Sequence, residues 1–148
     1  MVEKTTEESL ESYLADLGYE CAKDENGSIV VSVEVDGKTY PAILSRNEET
    51  GELTISCQIA TLGQFDEESL DEIMFQILDA NTWIAPYAFA IIGVSEDAEN
   101  DDPKQCPIVL MDTIPTGDLS HCEMEYAMDK LLYALMQSEE ILLSKVVN

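Results

Sequence analysis

Two soft metal ligands adjoin at one place in this chain, His121-Cys122, where the single histidine stands beside one of four cysteines. Adjacent helical residues point about 100° apart, so the pair cannot share one zinc ion, and no other His or Cys stands at ligand spacing. Nucleophilic catalysis needs a base within reach of Ser or Cys. Here the histidine falls at a helix start, and there is no nucleophile-elbow sequence. Five acids crowd between Glu96 and Asp102. Asp97, Asp101 and Asp102 invite a calcium ion, but the segment lacks the ordered spacing and central glycine of an EF-hand loop. Neither a phosphate loop nor a dinucleotide fingerprint occurs. The expectation is therefore no catalytic residue, no cofactor and no metal, with an enzyme built on an unrecognised carboxylate pair the least favoured class.

The residues left to act are apolar. Trp83, Ile84, Pro86, Tyr87 and Phe89 cluster within seven positions, and large aromatics anchor protein interfaces as readily as cores. Met124 and Met128 read as core of the last helix, with Met136 on an adaptable outer face. No cysteines form a Cys-x-x-Cys pair, and free thiols are expected. Cys57 lies on the apolar parity of a strand, as a small buried hydrophobe.

The elements that position these residues follow from periodicity and punctuation. Thr5 and Glu8 have capping-box spacing, Leu10, Tyr13, Leu14 and Leu17 form one helical stripe, and Gly18 ends it. Ser28–Val35 reads as a strand closed by Asp36-Gly37, a two-residue hairpin signal. That turn sets Val33 opposite Tyr40, Val31 opposite Ala42 and Ile29 opposite Leu44, all on one face. Pro41 delays the ladder to the next strand until beyond it. Leu53, Ile55, Cys57 and Ile59 alternate with polar residues as a third strand. Asp66 is the expected N-cap of a second helix whose stripe is Leu70, Ile73, Met74, Ile77 and Leu78, ending near Asn81. Phe75 lies off the stripe and needs other apolar cover. Ala88–Val94 and Pro107–Ile114 read as two more strands, joined by a polar hairpin loop over 95–105. Ser120 with Glu123, and Leu119 with Met124, open a last helix from about residue 120. The order α-β-β-β-α-β-β-α argues an α+β fold with a twisted five-stranded antiparallel sheet, one domain over residues 1–148.

Charge narrows the partners. Seven Lys or Arg against 31 Asp or Glu leave a net charge of −24. That repels phosphate backbones and anionic membranes, so neither nucleic acid nor a membrane is expected, and a basic polypeptide or a cation would be attracted. The acidic, polar first ten residues are unlike a signal peptide, and a cytoplasmic location is expected.

Several local words, in order, resemble the class I type III secretion chaperone-like superfamily, which also holds the YbjN-like and YjfI-like bacterial families. They are Leu14-Ala15-Asp16-Leu17-Gly18 ending the first helix, Ala60-Thr61-Leu62-Gly63 ending the third strand and Ile77-Leu78-Asp79-Ala80-Asn81 ending the second helix. Ile114-Pro115 before the capped last helix completes the set. The resemblance covers about residues 5–138. It implies a small acidic homodimer that binds a polypeptide segment as a chaperone or adaptor and has no catalytic role. It maps the dimer interface to Leu70, Ile73, Phe75, Trp83 and Tyr87, and a partner groove to Leu10, Tyr13, Ile43 and Leu53. The long 95–105 segment departs from a secretion chaperone. A housekeeping or regulatory protein on the same scaffold, or an ion-binding structural dimer, stays open beside the chaperone reading.

Overall fold

The computed structural model describes residues 7–93, 106–117 and 119–145. Helix α1 (Glu7–Asp16) leads into strands β1 (Cys21–Lys23), β2 (Ile29–Val35), β3 (Lys38–Asn47) and β4 (Glu52–Thr61). Helix α2 (Leu70–Ala80), strands β5 (Ala88–Ile91) and β6 (Pro107–Pro115), and helix α3 (His121–Leu142) follow. The six strands form one antiparallel sheet in the order β1-β2-β3-β4-β6-β5. The expected sheet of five strands is thus corrected to six. β1 is three residues long and exposed throughout, so it carries no alternation by which sequence could reveal it.

The β2–β3 hairpin has the register its turn specifies: Val33 pairs with Tyr40, Val31 with Ala42 and Ile29 with Leu44. Asp36 and Gly37 take φ of 49° and 83°, the left-handed pair that a two-residue hairpin turn requires. Pro41 sits opposite Ser32, and the ladder to β4 begins at Ala42 opposite Cys57. On β4, Leu53, Ile55 and Cys57 are buried as expected. A register shift between Gln58 and Ala60 then moves the inward position from Ile59 to Ala60, because a bulge breaks the period of two.

The helices cover one face of the sheet. α3 packs on β2 and β6 and against α1 and α2. Leu10 and Leu14 of α1, Ile73, Ile77 and Ala80 of α2, and Met124, Met128, Leu131 and Leu135 of α3 join the inward strand residues in a single core. Leu78 was expected on the buried stripe of α2, yet it is 67% exposed. The buried line is Ile73, Ile77, Ala80, at i, i+4 and i+7, and Leu78 stands about 100° away from it.

The caps differ in quality. Ser120 accepts from the backbone N–H of Glu123 at 3.2 Å, opening α3 as expected. α2 is instead preceded by a 3-10 turn over Glu67–Ser69; Asp66 stands at its N-cap without a side-chain cap bond. The Thr5–Glu8 box and the acidic segment 95–105 lie outside the described residues.

Candidate functional site

The nine residues expected to form surfaces divide sharply by burial. Ile73, Tyr87, Leu10 and Leu53 are core residues of the single chain, each at most 1% exposed. They support surfaces from beneath and cannot themselves meet a partner. Tyr87 is fixed there by its hydroxyl, which donates to the Ala127 carbonyl at 3.0 Å, a bond that stabilises by about 1 kcal/mol. Burial, with Asp112, Cys57 and Tyr19 adding to it, drives the Tyr87 phenol far above its ordinary range. Leu70 and Tyr13 are half-buried, and the Tyr13 ring meets His121 edge-on with centroids 5.7 Å apart. Phe75, Trp83 and Ile43 are exposed.

Two arrangements result. On the outside of α2, Phe75 (71% exposed) and Leu78 lie three residues apart on one helical face, and Trp83 follows just past the helix end. Three large apolar side chains on adjoining turns make a patch of the kind that marks an interaction site. Sequence reasoning found Phe75 and Trp83 but placed Leu78 inside. Ile43, by contrast, lies on the sheet face that bears no described helix, between Val30 and Ser56. Leu10 and Leu53 point to the helix side. The four groove candidates therefore do not converge on one surface.

A second arrangement was missed by sequence reasoning because it belongs to the backbone. β1 pairs only with Ile29–Val31 of β2. In the two-residue hairpin, Val35 and Val33 exchange hydrogen bonds with Lys38 and Tyr40. Ser32 and Glu34 therefore aim their N–H and C=O groups away from β3; the β1 register sets Glu20 opposite Ser32, and Glu34 lies on the β2 edge beyond the paired stretch. A cleft of about 550 Å³ runs beside this edge, lined by Gly18, Tyr19, Glu20, Ser32, Glu34 and Leu132. The Tyr19 phenol is raised by burial first and by the Asp129 carboxylate second. The opposite edge of the sheet is treated differently. Asn81, just after α2, accepts from the Phe89 N–H through Oδ1 at 2.7 Å and donates through Nδ2 to the Phe89 carbonyl at 3.4 Å. One side chain thus occupies both groups of the central β5 residue, a common way to blunt an edge strand.

Among the described residues no set of three His, Cys, Asp or Glu converges as a metal site, and no helix is long and apolar enough to cross a membrane. Cys57 and Cys106 are buried while Cys21 and Cys122 are exposed, all four as free thiols. Burial pushes the Cys57 thiol up to about 12.

No family model matches the sequence, and no curated protein matches it. Solved structures do. YbjN from E. coli superposes with a TM-score of 0.66 at 7% identity, covering 99% of each chain. A chain of the HopA1-SchA chaperone-effector complex gives 0.57 at 15% identity, covering 88% of this chain and 90% of that one. A chain of the ExoU-SpcU heterodimer from the type III secretion system of Pseudomonas aeruginosa gives 0.56 at 16% identity, covering 89% and 96%. The strand order, the helix-covered face and these superpositions agree that the chain shares its fold with YbjN and with these chains of the HopA1-SchA and ExoU-SpcU complexes.

Proposed function

We propose that this protein is a non-enzymatic, dimeric binding module that holds an extended, basic polypeptide segment, in the manner of a chaperone or adaptor. The observation that carries this reading is the β2 edge at Glu34, beyond the stretch paired with β1, with its flanking cleft. An added strand would satisfy the outward N–H and C=O groups, and the cleft would take alternate side chains. Glu20 and Glu34 on that cleft, within a chain of net charge −24, favour a basic segment and speed its encounter. Chaperone-effector complexes among the structural neighbours support a polypeptide partner. Self-association is assigned to Phe75, Leu78 and Trp83, with Leu70 at the margin, and Tyr13 and Ile43 are outlying contacts for the bound segment.

The test uses the partner recovered by native pull-down from the source cells. Glu34→Pro removes an outward N–H while leaving the β2–β3 bonds in place. It should abolish capture of that partner, whereas Glu34→Lys should weaken capture mainly at low salt. Equal capture by wild type and Glu34→Pro, with the variant folded by circular dichroism, would overturn the strand-addition reading. YbjN covers the whole chain, which favours a second reading, a regulator that grips a folded partner. That partner would bind only as an intact domain, and not as a peptide.

A further inference from the structure

We propose that a second cleft, between the start of β3, the end of β4 and the last turns of α3, binds a primary ammonium or guanidinium group on an aliphatic stem, the chemistry of a Lys or Arg side chain. The cleft holds about 720 Å³ and is lined by Lys38, Tyr40, Ile59, Gln64, Glu139 and Leu142, among others. That volume lies within the range of small-ligand sites.

Glu139 is the centre of the site. Its Oε1 is buried and has no hydrogen-bond partner among the described residues. The Tyr40 hydroxyl lies beside the same carboxylate, and it is raised above its ordinary range by burial first and by Glu139 second. A buried carboxylate oxygen without a donor is costly, and a cation with several N–H donors is the chemistry that offsets that cost.

The backbone adds to this. Glu139 lies one turn before the end of α3, where its own carbonyl accepts from the Leu143 N–H. Helix C-termini carry partial negative charge and favour cations. The other lining groups suit a stem. Ile59 and Leu142 flank the carboxylate with apolar surface, along which the methylenes of a long cationic chain can lie. Gln64 already directs its Oε1 to the Thr61 N–H at 2.8 Å, which fixes that wall. Ser138 is likewise settled, donating to the Leu135 carbonyl at 2.7 Å, so Glu139 is the anionic group the cleft presents. Lys38 stands exposed at the rim, and among the described residues no ion pair joins it to Glu139. It is the built-in competitor of an arriving cation. This site is independent of the β2 edge, and neither dimer formation nor strand addition is needed for it.

The experiment is an NMR titration of the full chain with agmatine, with a blocked Gly-Arg-Gly peptide, and with butylurea as the neutral analogue. Agmatine and the peptide should shift the amides of Tyr40, Ala60 and Glu139 saturably, and butylurea should not. Tighter binding of the peptide than of agmatine would identify a polypeptide side chain as the source, and the reverse a free cation. Glu139→Gln keeps the shape and should weaken binding roughly tenfold or more. Lys38→Met should tighten it. Shifts spread over the acidic surface without saturation, or binding unchanged in folded Glu139→Gln, would overturn the proposal.

Discussion

Asp112 is the acid most at odds with its surroundings. It lies on β6 opposite Ile55, on the same parity as the buried Ile108 and Leu110, and its Oδ2 is buried without a hydrogen-bond partner among the described residues. Burial lifts its carboxyl above the usual range, and a backbone hydrogen bond from Thr113 works against that. The sign of the linkage follows. A carboxyl whose folded pKa exceeds the unfolded value of roughly 3.9 binds protons more tightly when folded. Its penalty is thus absent at pH below the unfolded value and develops as pH rises through the folded one. Asp112→Asn should therefore raise the melting temperature at pH 7 and lose that advantage near pH 3, measured by thermal denaturation at both. An advantage that persists undiminished at pH 3 would assign the effect to something other than charge. At this scale sequence was partly legible. Alternation alone places Asp112 on the core parity, but nothing in the sequence says that its carboxylate lacks a donor. The same holds for Glu139, whose significance depends on Tyr40, about a hundred positions away.

At the scale of elements, legibility followed the strength of the local rule. The β2–β3 register was readable because turn geometry and apolar parity specify it together. The inward position beyond Gln58 was not, because a bulge obeys no period. β1 was invisible for want of any inward side chain. On α2 the apolar residues outnumber the positions on one helical stripe, so sequence could tell that some must face outward but chose Phe75 alone. The structure adds Leu78. This excess is the argument for self-association. Phe75→Asp or Trp83→Asp should reduce the light-scattering mass from twice the 16.4 kDa of one chain to a single copy. The melting temperature of the monomer should stay nearly constant, because both side chains are exposed before any dimer forms. An unchanged mass for both variants would place the interface elsewhere.

For the whole molecule, charge and topology bear on the same partner. Among the described residues, Lys145 meets Glu72 at 3.0 Å, and Lys23 meets Glu11 and Arg46 meets Glu48 at 3.5 Å. Each pair has at least one largely exposed partner and contributes little, and the net charge of −24 favours a basic ligand. Asn81 occupies the outward groups of Phe89 at one edge of the sheet, and at the other the β1 pairing stops short of Glu34. The expectation of a basic partner comes from composition alone, whereas the extent of the free β2 edge depends on where β1 stops, which sequence did not reveal. The most direct test of the binding account is residue-resolved amide hydrogen exchange with and without the captured partner. The account predicts that Glu34 exchanges quickly alone and slowly in the complex, while Val31 and Val33, already bonded to β3, change little. A stable complex in which Glu34 exchanges as fast as in the protein alone would contradict it.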